Sequence, residues 1–388
     1  MHRPADEDLA TGRDTPDAGA SPEVADQTPV KDAGPARKPT PQDTPAPATA
    51  PAPLSDAIGR VTKTQRTVRT SVGAFTVQAV TVPTDGHRIK VALATDQVGA
   101  TEPLAAMALR HRALVAINGS FFDAYSDKTV RNPHGTLISG AQIVHISDHP
   151  AMIGMWPDGR VRIGQARFRV VGSLDGSEQY PNDWYAYGIN DLPSGSTWSA
   201  LYSPLWAAQS TPDDGAQIVV RSGKIARIGR GKQSIPEDGF VIHLRGKEKY
   251  LSERFRKGRQ CSYRVAVKWS RPSWDWAHVV EGLGCGPSLL RDGQVTVDPA
   301  AEGFRDPKIL SGAGARSAVG LTEDGRLLLV TCPGATIKQL GHVMKGLQAV
   351  EAMNLDGGAS SCLWYDGRYL TEPGRDISNA LLVLPRRG

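Results

Sequence analysis

The chain has 388 residues, and 45 Lys and Arg against 40 Asp and Glu leave a formal net charge of +5. So mild a balance, with no recognised helix, zinc or stacking motif beside its basic runs, argues against nucleic acid as a partner. No stretch approaches the ~20 apolar residues of a membrane span, and Cys261, Cys285, Cys332 and Cys362 form no C-x-x-C pair, which argues against a thiolate metal site.

The first 55 residues hold 11 of the 28 prolines and no Phe, Trp or Tyr. Such a segment cannot bury enough apolar surface to offset the entropy of ordering, so residues 1–56 are expected to be a disordered Pro/Ala/Thr-rich tether and 57–388 the folded body. Residues 1–20 lack the apolar core of a signal peptide. A tether of this composition ahead of a catalytic body nevertheless favours an extracytoplasmic protein, secreted or held in the cell envelope. In that setting the four cysteines could form up to two disulfides; otherwise they are small buried hydrophobes.

In the body, Thr101 is expected to cap a helix carrying Leu104, Met107, Ala108 and His111 on one stripe. The apolar strand Ala113-Leu114-Val115-Ala116-Ile117 then runs into Asn118-Gly119-Ser120-Phe121-Phe122-Asp123. His145 and His149 are four apart, but they flank a strand end before Pro150, which argues against a helical metal pair. From about 180 to 260, Tyr180, Trp184, Tyr185, Tyr187, Trp198, Tyr202 and Trp206 stand among Pro, Gly, Ser and Asp, and the segment reads as a loop-rich insertion. Its rings either pack a satellite core or line a cleft; exposed ones, Trp184 and Tyr187 first, would suit sugar faces. The charged run from Arg245 to Arg259 is either a solvated loop or an attractor of an anionic polymer.

Asp158-Gly159, Asp292-Gly293, Asp324-Gly325 and Asp366-Gly367 each separate apolar or alternating runs, the strongest short-range hairpin signal. Thr336 opens a second helix with Ile337, Leu340, Val343, Met344 and Leu347 at helical spacing. It leads into Ala349-Val350-Glu351-Ala352-Met353-Asn354-Leu355-Asp356-Gly357-Gly358-Ala359-Ser360-Ser361, a buried strand that stops in a carboxylate, glycines and hydroxyls. The expected fold is α+β, a mixed and largely antiparallel sheet core with flanking helices and hairpins.

Two strand ends thus offer Asn118, Asn354 and Asp356 beside glycines, which let backbone approach a ligand and present N–H groups to an anion. Taken with Gly284-Cys285-Gly286-Pro287-Ser288, Gly314-Ala315-Arg316-Ser317, Pro133-His134-Gly135 and Arg375-Asp376-Ile377-Ser378-Asn379-Ala380, these blocks resemble the phosphodiester glycosidase family from about residue 85 to Leu384. Ser120 and Ala359 stand where that family commonly has glycine, and the aromatic insertion is this chain's own. The resemblance implies hydrolysis of a sugar 1-phosphodiester at the C1–O bond, releasing free sugar and a phosphomonoester.

On that reading Arg316 clamps phosphate with a planar fork. The amides of Gly357, Gly358 and Ala359 and the hydroxyls of Ser360 and Ser361 complete an anion nest. Asp356 serves the sugar as nucleophile, base or electrostatic partner, and Asn118 and Asn354 bond sugar hydroxyls or orient it. Asp123, Glu281 and His134 are further polar candidates. The sequence requires no cofactor, although a hard divalent cation is compatible with these carboxylates. The expected partner is a sugar-phosphate diester or anionic glycan. Two alternatives stand beside it: a metal-assisted phosphodiesterase breaking the P–O bond, and a non-catalytic glycan-binding module on the same fold.

Overall fold

Val115, Ala116 and Ile117 show how the fold is built, because alternation along one strand sends its side chains into two different cores. Val115 and Ile117 point into the main core, whereas Ala116 packs with Leu104, Met107 and Ala108 of the helix Leu104–Arg110. In the same way Met353 enters the main core while Ala352 meets Leu340, Val343 and Met344 of the helix Ile337–Gly346. In this computed structural model, which describes residues 61–125 and 130–385, each helix therefore covers the outer face of a sheet, and the two sheets share the core between them.

The described residues form four sheets, of seven, five, seven and five strands. Strands are paired antiparallel, apart from the short parallel contact of Gly188–Ile189 with Trp198–Tyr202. The largely antiparallel sheet core with flanking helices and hairpins is as expected, but the chain is β-rich with few helices, so the α+β description fits it only loosely. All four Asp-Gly pairs turn between antiparallel neighbours. Asp292 and Asp366 adopt φ of 50° and 45° with their following glycines also positive, the backbone a two-residue hairpin requires.

Thr336 caps its helix as expected, its hydroxyl accepting from Gln339 N–H while the Gln339 side chain reaches back. Thr101 does not cap the first helix; that helix starts after Pro103, whose fixed φ suits the entry, without a side-chain cap. The segment 180–260 is also corrected. It is not loop-rich but carries a five-stranded sheet, because Trp184, Leu201, Ile218, Val220, Ile242 and Leu244 supply a second core. The tether expected at 1–56 lies outside the described residues, except that the described body begins at Val61. All four cysteines are buried and free.

Candidate active site

The two strands ending in Asn118 and Asn354 belong to different sheets, and the crossing between them builds the site. Leu355 N–H donates to Ser317 O (2.9 Å) and Asp356 N–H to Gly119 O (3.0 Å), so the chain passes from one sheet to the other at the aspartate. Asn118 locks that crossing. Its Nδ2 donates to the Asp356 carbonyl (2.7 Å), and its Oδ1 accepts from Ser317 Oγ (2.7 Å) and Cys362 N–H (3.0 Å). Buried and bonded through both Nδ2 and Oδ1, Asn118 sits where it orients the Asp356 backbone, one of the two roles expected of it. We expect Asn118→Ala to cost about 3 kcal/mol in denaturant unfolding, since it orphans buried partners, and to lower kcat with little change in KM.

Asn354 ends the other strand, and its Oδ1 has no partner among the described residues. It is buried, its Nδ2 donates to Gly286 O (2.8 Å), and its backbone pairs with Gly286 and Pro287. It therefore fixes the Gly284–Ser288 turn beside the aspartate. Asn379 holds the opposite loop, accepting from Ser120 N–H (2.8 Å) and donating to Ser120 Oγ (2.9 Å). A Cβ on Gly119 would stand 2.1 Å from Asn379 Oδ1, so glycine there is a packing requirement.

Asp356 itself is partly exposed, with Oδ1 accepting from Gly357 N–H at 2.8 Å. Burial raises its carboxyl to about 6, against the opposing pull of bonds from Ser360 and Gly357 and the charges of Arg375 and His134. The anion nest is thereby corrected in part. Gly357 N–H and the Ser360 hydroxyl serve Asp356, and the Ser360 and Ser361 amides close the Gly358–Ser360 turn. Among the described residues the amides of Gly358 and Ala359 keep no protein acceptor, so they are what a phosphate oxygen would find. Ser361 is buried, and its hydroxyl has no partner among the described residues.

Arg316 lies beside this loop. Its Nε donates to Ala335 O (3.0 Å), and Nη2 to Lys308 O (2.7 Å) and Gly312 O (2.6 Å). Nη1 has no acceptor among the described residues and stands 3.5 Å from where a Gly357 Cβ would be. The buried guanidinium is thus held by three carbonyls with one nitrogen left for a ligand. Burial lowers its pKa, and the charges of Asp306 and Asp356 oppose that; an arginine stays protonated regardless.

On the other side His134 Nε2 meets Asp123 Oδ1 at 2.7 Å. Burial lowers the imidazole pKa, but the Asp123 bond and the charges of Asp123, Asp191 and Asp356 outweigh it, so the net shift is upward. Gly135 is packed against the turn 284–288, where a Cβ would come within 1.8 Å of Gly284 O.

The remaining candidates fall outside this group. Trp184 is 2% exposed in the second core and offers no face to a sugar. Glu281 accepts from the amides of Val91 (2.8 Å) and Gly140 (3.1 Å), bracing backbone. Tyr187 donates to Glu248 (2.6 Å) within a separate aromatic group with Tyr185 and Trp198. In the charged run Arg245, Arg254 and Arg259 pair with Asp214, Asp183 and Asp175, while Lys247, Lys249, Arg256 and Lys257 are exposed. His145 is buried with Nδ1 on Gly135 O (2.8 Å), and no group of three or more metal-type side chains gathers among the described residues.

Sequence reasoning missed Arg375, Tyr125 and His149. Arg375 stacks over Tyr125, 4.4 Å from the ring centroid, bonds its hydroxyl, and acts on Asp356. The closing Arg375–Ala380 block was its available signal. His149 stacks on Phe304 at 4.2 Å and is an electrostatic neighbour of His134; nothing local in the sequence marks it.

A hypothetical protein from Synechocystis shares 26% identity at TM-score 0.73, over 84% of this chain and 62% of its own length. The chain thus spans less than two thirds of that relative. A Burkholderia pseudomallei K96243 protein, named as a candidate exported protein, aligns at TM-score 0.67 and 18% identity, over 80% of this chain and 74% of its own, and shows the same fold. The zebrafish N-acetylglucosamine-1-phosphodiester alpha-N-acetylglucosaminidase catalytic domain, auto-inhibited by its pro-peptide, aligns over 84% of this chain and 83% of its own at TM-score 0.44 and 14% identity, too low to carry an argument. No curated protein matches the chain. The phosphodiester glycosidase family model matches residues 214–384. That match starts inside the segment 180–260, after the aromatic residues Tyr180 to Trp206. The segment bearing Arg316, Asp356 and Arg375 is therefore a match to the phosphodiester glycosidase family, as the sequence blocks lead one to expect.

Proposed function

We propose that the protein is a glycosidase-type hydrolase of sugar 1-phosphodiesters, acting outside the cytoplasm on a phosphate-bearing glycan. The observation that carries this reading is one carboxyl, Asp356, raised to about 6 and set among the charges of Arg316, Arg375 and His134. A phosphomonoester leaves as a stable anion, so the site needs less leaving-group protonation than an ordinary glycosidase, which commonly uses two carboxyls. Arg316 Nη1 and the Gly358 and Ala359 amides hold the phosphate, and Arg375 balances its second charge.

Above pH 6 the Asp356 carboxylate faces the sugar as C1–O stretches and positive charge grows on the ring. Water supplies hydroxide to C1, the bridging oxygen leaves with phosphorus, and the released proton ends on bulk solvent or the phosphomonoester. His134, kept protonated by Asp123, donates a hydrogen bond to the departing group. Asp123→Asn removes that support; the alkaline limb of kcat/KM is then expected to move to lower pH, as a pH–rate profile would register. An unmoved limb would remove His134 from the reaction.

The test is turnover of an aryl phosphodiester of N-acetylglucosamine, with free sugar and aryl phosphate released in equal amounts. Glycan binding without turnover, unchanged in Asp356→Ala, would instead support a binding module.

A further inference from the structure

The geometry points to a second anion site, a subsite for a phosphate farther along a polyanionic substrate chain. A cavity of about 620 Å³ is lined by Arg167, Lys268, Arg271 and Arg291, with Trp269 on one wall. These cations come from three remote parts of the chain, so no run in the sequence announces them. Among the described residues Lys268, Arg271 and Arg291 form no ion pair, and Arg167 has only a long contact, 3.9 Å, to the exposed Asp148. Arg271 lies over the Trp269 ring at 5.6 Å, which sets its guanidinium plane without neutralising it.

Two acids share the lining and do not cancel this charge. Glu302 is buried, accepting from Ser288 N–H (3.0 and 3.2 Å) and Gln165 Nε2 (3.0 Å), and burial raises its pKa. Asp298 accepts from Ala301 N–H (3.0 Å). Four cations against these two acids leave a positive cavity, and three planar guanidinium forks select phosphate oxygens better than a single carboxylate.

The cavity adjoins the candidate active site. Pro150 lines it and is the chain neighbour of His149. His149 feels the charges of both Arg167 and His134, and His134 feels that of Asp356. The turn 284–288 joins the two places, since Ser288 lines the cavity and Gly286 bonds Asn354, and on this proposal the substrate chain runs from Asp356 along that side. The use of the subsite in turnover rests on the hydrolase reading above; its ability to hold phosphate does not.

Binding is measured with the full chain by calorimetry, using inorganic tripolyphosphate, orthophosphate and oligogalacturonate as probes at about 0.1 M salt, where exposed charges are already screened. Tripolyphosphate is expected to bind best. The double variant Lys268→Gln/Arg291→Gln should weaken it about tenfold or more, the scale of one or two lost charge-assisted bonds. Arg291→Lys should fall between, and Lys249→Gln, a change at an exposed lysine outside the cavity, should bind as the parent does. Equal binding by parent and double variant, an equal loss on Lys249→Gln, or a preference for the polycarboxylate would overturn the proposal. Tripolyphosphate bound through these side chains by a protein that hydrolyses no sugar 1-phosphodiester would uphold the subsite and sink the hydrolase reading.

Discussion

Asp356→Asn is expected to abolish turnover, by about 10³-fold or more in kcat, while making the folded protein more stable at pH 8. Both effects have one origin. The carboxyl sits near 6 because the strand crossing buries it, against an ordinary value of 3.8. Between those values the folded chain holds a proton that the unfolded chain has released. Stability therefore falls as pH rises through that window, and the cost is complete above about 6. Two units correspond to about 3 kcal/mol, reduced toward ~2 kcal/mol by the partial contact with solvent. Asparagine carries no charge and can still accept from Gly357 N–H. Urea unfolding of parent and variant should then coincide near about pH 4 and separate by ~2 kcal/mol near pH 8. A variant less stable than the parent at both would show that the carboxylate is a structural support instead.

Arg316→Lys is expected to raise KM with a fall of about 10²-fold in kcat/KM. An ammonium keeps charge but cannot donate to three carbonyls while leaving a nitrogen for phosphate. Arg316→Ala should add about 3 kcal/mol of lost stability, because the carbonyls of Ala335, Lys308 and Gly312 lose their donors in a largely closed space. The two variants separate scaffold from ligand contact. If Lys restores stability but not KM, the free Nη1 is the phosphate contact; if it restores both, it is not.

The hairpins, the second helix and the two strands ending in asparagine were legible because each rests on local chemistry: Asp-Gly turns, a threonine ahead of helically spaced apolar residues, apolar runs stopped by glycine. Asp356 and Arg316 stand in the ordered blocks that carry the family resemblance, and the structure puts both beside the loop 357–361. What could not be read was which polar group turns inward. Asn118 and Asn354 look alike in sequence, yet one holds the Asp356 carbonyl and the other the Gly286 turn. Trp184 failed as a sugar platform because a strand in an aromatic-rich segment places alternate rings in a core. Arg375 and His149 act across the fold, and partners so remote leave no spacing to detect.

Hydrolysis of an N-acetylglucosamine 1-phosphodiester in oxygen-18 water, read by mass spectrometry of both products, bears most directly on the account. Label in the released sugar is the predicted result, because water is delivered to C1 opposite a phosphate that departs intact. Label in the phosphomonoester would mean that the P–O bond breaks, and would contradict the role given to Asp356.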